Sequence, residues 1–194
     1  MKLRSALLLG LLVPALAHAA TPAAPVWAVA LCQSPPGQAK EDFLRSVAVT
    51  ASSWTQQTGL EACGVLGRQG KDRWSLVLST NRSQVQCLFV DHLLLPGATH
   101  SGDQFHTHPS AGPDGVVEVL PSTHAHAAHM EDRRLLGVSH VRLHDPERLS
   151  RTDLEVGGGY LASAGRLSYQ GPADVSPRDL GVLPTTASAC VLRR

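Results

Sequence analysis

Phe105-His106-Thr107-His108-Pro109 sets two imidazoles two residues apart. Side chains alternate between faces on an extended backbone, so His106 and His108 point the same way and can grip one metal ion. The proline behind them ends the strand and leaves the pair at a sheet margin open to substrate. A metal-dependent reaction is the leading reading of this stretch; the plain one is two surface histidines in a turn.

Working back from it, residues 85–90 and 104–107 read as strands, as do Leu60–Leu66 and Trp74–Leu78 around the turn Arg68–Asp72. Between Gln38 and Gln57, Phe43, Leu44, Val47, Val49 and Trp54 recur at helical spacing, with Lys40, Glu41, Asp42 and Arg45 turned to solvent. A first strand is expected over Val26–Leu31. Working forward, a turn rich in Gly and Pro leads to the apolar run Val116–Leu120, a helix over 122–136 and a strand over 138–143. Tyr160–Ala162 and Arg166–Tyr169 then form a hairpin about Ala164-Gly165. The Pro-, Ser- and Thr-rich residues 176–194 are expected to be an extended tail held by Cys190.

The chain begins with Lys2 and Arg4, an apolar run from Ala6 to Leu16, and Ala17-His18-Ala19, which fits an export signal over residues 1–19. A periplasmic or secreted protein is therefore expected, with a loose leader and strand over 20–37. No later segment approaches the roughly 20 apolar residues of a membrane span. Loss of residues 1–19 takes two of the 17 basic groups and none of the 16 acidic ones, leaving a net charge of −1. That balance, with 4% aromatic residues, gives no footing for nucleic acid. The even set Cys32, Cys63, Cys87 and Cys190 in an exported chain favours two disulfides over a thiolate metal site. Of the three pairings, Cys63–Cys87 with Cys32–Cys190 is favoured, and the sequence leaves the others open.

A hydrolytic zinc site needs three protein ligands, an open position for water and a base to manage its proton. Asp153, in Ser150-Arg151-Thr152-Asp153, is the candidate third ligand beside His106 and His108. Ser150 stands ready to donate to a developing oxyanion, and Glu61, heading Glu61-Ala62-Cys63-Gly64-Val65-Leu66-Gly67, is the candidate general base. Ser150-x-x-Asp153 is equally a helix capping box, and the two roles are compatible.

The order Glu-x-Cys-Gly-(apolar)-Leu-Gly, then Asn81, His-Thr-His-Pro, Ser-x-x-Asp and a Gly-Tyr-Leu…Gly-Arg-Leu hairpin resembles the JAMM/MPN family of zinc metallopeptidases over roughly residues 40–171. The resemblance implies an α/β, cytidine-deaminase-like fold: a curved mixed sheet flanked by helices, here a catalytic domain over 38–175. It implies hydrolysis of a peptide or isopeptide bond, with His106, His108 and Asp153 holding zinc, Glu61 as base then acid, and Ser150 steadying the tetrahedral intermediate. One departure is plain: 40 residues, 110–149, stand where the family has about seven. This insertion carries His124, His126, His129, His140 and His144, and on a helix His126 and His129 would be close enough to share a second metal. The substrate expected in an exported setting is a peptide or isopeptide, cell-wall peptides among them. Two other readings compete: a catalytically silent zinc-binding or interaction module, and a periplasmic metal-binding protein served by the His-rich insertion.

Overall fold

The structure, a computed structural model, describes residues 26–84, 87–90, 93–109, 116–118, 140–142, 147–186 and 189–193. The expected export signal, the helix over 122–136 with His124, His126 and His129, and His144 lie outside the described residues.

The architecture is α/β, built on one mixed eight-stranded sheet. In chain order come β1 (Trp27–Gln33), α1 (Lys40–Thr58), β2 (Cys63–Gln69), β3 (Arg73–Thr80), β4 (Ala98–Thr107), β5 (Val116–Glu118) and β6 (His140–Arg142). They are followed by α2 (Arg151–Glu155), β7 (Gly159–Ser163), β8 (Arg166–Gln170), β9 (Arg178–Val182) and β10 (Cys190–Leu192). The large sheet runs β10-β1-β3-β2-β4-β7-β8-β9, while β5 and β6 pair separately inside the insertion. Only β4 and β7 are parallel in the large sheet. A parallel step requires a crossover, and the chain between these strands, residues 108–158, supplies it.

Two expectations change. The described part of 85–90, residues 87–90, is not strand, so the Cys87 stretch is a loop tied to β2 and does not extend the sheet. The C-terminal stretch is not merely a tail: it supplies β9 at one edge and β10 at the other, joining the sheet formed by 27–170.

Helix α1 covers one face of the sheet. Glu41 and Asp42 suit the positive end of its backbone dipole, and Gly59, at φ 72°, stops it by returning its N–H to the Thr55 carbonyl at 2.7 Å. Its buried Phe43, Leu44, Val47, Ala48 and Ala51 meet Ala62, Leu66, Leu76, Leu78, Phe105, Tyr160, Ala162 and Leu167 in one core. Alternation sends the intervening residues Cys63, Val65, Val77, His106 and Leu161 to the opposite face. Gly64 is required between them, since a Cβ there would sit 2.4 Å from the Val77 carbonyl oxygen.

The disulfides are Cys32–Cys190 and Cys63–Cys87, as favoured from the sequence. The first links the paired strands β1 and β10; the second pins the 87–90 loop to β2. Two disulfides are compatible with an extracellular or periplasmic protein, and no described helix is long and apolar enough to cross a membrane.

Candidate metal centre

The antiparallel register of β2 and β4 sets Cys63 opposite His106. One residue further, the Thr107 N–H donates to the Ala62 carbonyl at 2.9 Å, and the Ala62 N–H donates to Thr107 Oγ1 at 3.0 Å. Thr107 Oγ1 also meets Thr55 Oγ1 of α1 at 2.6 Å. The residue between the two histidines is thus locked to the helix face, so its neighbours must project from the other. Composition and spacing had flagged only the histidines; Thr107 as their anchor becomes visible once α1 is in place.

On that other face His106 Nε2 and His108 Nε2 lie 3.1 Å apart. In the metal-free protein this is an N–H···N hydrogen bond, one ring donating and the other accepting. Burial, then the charge His108 can carry, hold the His106 imidazole well below its ordinary value, while Asp153 pulls the other way. His106 is accordingly neutral, the form a metal ligand needs. The edge of Phe89 packs on the ring, centroids 5.8 Å apart. Phe89 is held over the site by the Cys63–Cys87 disulfide two residues before it, a contact the sequence did not announce.

Asp153 reaches the site across 45 residues: its Oδ2 stands 3.9 Å from His106 Nε2. It is carried there by α2, whose N-cap is Ser150. The capping box is complete, with the Ser150 N–H donating to Asp153 Oδ2 at 2.8 Å and the Asp153 N–H donating to Ser150 Oγ at 3.3 Å. The Ser150 hydroxyl also donates to Asp153 Oδ2, at 2.6 Å. All the cap contacts to the carboxylate fall on one oxygen, the one that faces His106. Ser150 is exposed, and its hydroxyl must turn from Asp153 to serve a reacting oxyanion.

Glu61 is 4% exposed, just ahead of β2, its N–H donating to the Ser83 carbonyl at 2.8 Å. Burial, and secondarily the negative charge of Asp153, raise its carboxyl well above the usual value of 4.5. A raised proton affinity suits a carboxylate that takes a proton and later returns it. All five candidates therefore occupy one region: His106 and His108 from β4, Asp153 and Ser150 from α2, and Glu61 from the approach to β2. The side chains of the insertion histidines are outside the described residues.

The donors suit zinc in type, two neutral imidazoles and a carboxylate. Two ligands about 2.0–2.1 Å from a tetrahedral zinc are about 3.3 Å apart, close to the 3.1 Å between the imidazole nitrogens. The carboxylate is further off, and among the described residues no group of three or more His, Cys, Asp or Glu side chains is arranged to hold a metal as it stands. Loading the site requires Asp153 to close on the imidazole pair. No protein-family model, curated protein or solved structure matches the chain.

Proposed function

We propose that this protein is an exported zinc metallopeptidase of the JAMM/MPN type that hydrolyses a peptide or isopeptide bond. The observation that carries the reading is the arrival of Asp153 beside the His106–His108 pair, across a 40-residue insertion, with a buried carboxyl in its field. Structural capping alone explains Ser150 and Asp153. It does not explain why the capped carboxylate is delivered to two buried or half-buried imidazoles.

His106, His108 and Asp153 would hold the ion, which supplies Lewis acidity at the scissile carbonyl and makes water available as a nucleophile near neutral pH. Glu61, as carboxylate, would accept the proton of the attacking water and return it to the leaving nitrogen, its raised affinity favouring transient retention. Ser150 turns its hydroxyl from Asp153 to the developing oxyanion. Phe89 keeps His106 in one orientation and covers that side of the ring.

The competing reading is a catalytically silent module, favoured by the present engagement of Asp153 Oδ2 in the α2 cap. Elemental analysis of the purified protein beside Asp153→Ala decides. One equivalent of zinc, lost in the variant, supports the ligand set, and Glu61→Gln then keeps the zinc but loses about 10²–10⁴-fold of amide hydrolysis. Zinc kept in Asp153→Ala removes Asp153 from the site. Zinc bound as assigned, with no hydrolysis of a peptide or isopeptide panel, favours the silent module.

A further inference from the structure

Cys63 of β2 lies directly opposite His106 of β4, so the two side chains share a face of the sheet, with Cβ atoms about 4.5–5.5 Å apart. Its disulfide partner Cys87 opens the segment 87–90, in which Phe89 meets the His106 ring with centroids 5.8 Å apart. The path from His106 to Cys63, through the bridge to Cys87 and on to Phe89, therefore closes on the imidazole where it began. Little else holds Phe89 in place. Among the described residues, 87–90 make no backbone hydrogen bond to any strand; the Val90 carbonyl accepts from the Leu93 N–H at 2.9 Å, a bond inside the same connection. The other close approaches are those of the bridge itself, Cys63 Sγ lying 3.3 Å from the Leu88 carbonyl oxygen and Cys87 Sγ 3.8 Å from that of Ser79.

A segment without a ladder, tied by one covalent bond, is released when that bond opens, and its closure at a sequence separation of 24 must then be bought from packing alone. We propose that the Cys63–Cys87 disulfide is a redox switch for the metal centre: oxidation seats Phe89 on His106 and completes the zinc site, and reduction unseats it. The proposal rests on the metallopeptidase reading for the identity of the ion and adds a means of regulating the same site. The second bridge has no such reach. Cys32–Cys190 joins strands that are already paired over Ala30–Cys32 and Cys190–Leu192, so its reduction leaves a ladder in place and touches no candidate ligand.

The chemistry is thiol–disulfide exchange with a second disulfide as oxidant. Cys63 and Cys87 give up two protons and two electrons and their S–S bond forms, while the oxidant's S–S bond breaks and it leaves as two thiols. In the reverse direction a dithiol attacks the Cys87 sulfur and Cys63 departs as thiolate; its second thiol then frees Cys87 and the reductant leaves as a disulfide. Attack falls on Cys87 because that residue is half-buried, whereas Cys63 is fully buried. Oxidising compartments favour the bridge and a reducing cytoplasm favours the thiols. The same chain thus holds zinc loosely before oxidation and tightly after it.

The test uses the purified chain carrying Cys32→Ser and Cys190→Ser, in which only one bridge responds. It is equilibrated in glutathione buffers from oxidised to reduced, freed of thiol by anaerobic gel filtration, and titrated with zinc against a chelating competitor. The oxidised form is expected to bind zinc about two- to tenfold more tightly than the reduced one, the range set by loss of one aromatic contact. Phe89→Ala is expected to bring the oxidised form down to the reduced level and to abolish the redox response. Because a freed thiolate can itself take zinc, Cys63→Ser with Cys87→Ser is measured alongside and is expected to bind no more tightly than the reduced form. Equal affinity in both states, a redox response that survives Phe89→Ala, or loss of the cooperative unfolding transition on reduction overturns the switch. A second readout needs no metal: the His106 ring-proton resonances, assigned by their absence in His106→Ala, should shift when the zinc-free chain is reduced and should not shift in Phe89→Ala. No zinc in either state, with that shift present, overturns the metallopeptidase alone. Zinc bound through His106, with neither the shift nor a change in affinity, overturns the switch alone.

Discussion

The two faces of the sheet are made by alternate residues of the same strands, yet they are built to different rules. On the helix face, Phe105, Tyr160, Ala162 and Leu167 pack against α1 with side chains at most 1% exposed, and the main polar contact is the Thr55–Thr107 pair. On the other face, His106 lies under Phe89 of a disulfide-tied loop and beside Asp153 of α2, while Arg166 is exposed. The lesson is a division of labour along a single strand. In Phe105-His106-Thr107-His108, odd positions hold the fold and even positions are left for chemistry. A site placed this way inherits the rigidity of the core it backs onto.

Substitutions in one strand can break that division. Phe105→Ala removes a fully buried aromatic from the helix face and is expected to cost about 3–5 kcal/mol in urea unfolding. His106→Ala, one residue away, is expected to abolish zinc binding while leaving a cooperative unfolding transition. Similar destabilisation by both would show that the two faces are not independent. Replacing Cys63 and Cys87 together by Ser opens a loop of sequence separation 24 and is expected to cost about 3 kcal/mol. Because that disulfide holds Phe89 on His106, zinc affinity should fall with it. In the Cys32 and Cys190 double Ser variant, which touches only β1 and β10, zinc affinity should hold. Gly64→Ala pushes a Cβ into the Val77 carbonyl and should destabilise by about 1–3 kcal/mol, an effect of the β2–β3 contact that leaves metal stoichiometry unchanged.

The smallest effect expected is on pH dependence in the metal-free protein. The folded Glu61 carboxyl keeps its proton above 4.5, where the unfolded one has lost it. The native state then binds more protons, so this group makes stability fall as pH rises from about 4.5 through its raised folded value. Glu61→Gln should flatten that part of the stability profile. An unchanged profile would mean that Glu61 is not buried as described.

Much of the sheet was legible because its signals are local. The helix at Lys40–Thr58 showed in the spacing of Phe43, Leu44 and Val47, and the β7–β8 hairpin in the alternation around Ala164-Gly165. The strand expected at 85–90 failed in its described part because an apolar loop tied by a disulfide and a strand have the same composition: Phe89 packs on His106 from a loop. The strands β9 and β10 were missed because edge strands in a Pro- and Ser-rich stretch need little hydrophobic alternation; a neighbour's free backbone edge recruits them.

The sequence by itself determined the alternation that puts His106 and His108 on one side, the capping pair Ser150 and Asp153, the helix that buries Phe43 and Leu44, and an even cysteine count suited to two bridges. These depend on contacts within a few residues, where covalent geometry limits the choices. The tertiary structure alone decided that Asp153 lies 3.9 Å from His106, that Phe89 rests on that imidazole, and that Glu61 is buried within reach of the Asp153 charge. Each of these joins segments far apart in the chain, and such proximity is set by strand order and register, which no local pattern encodes.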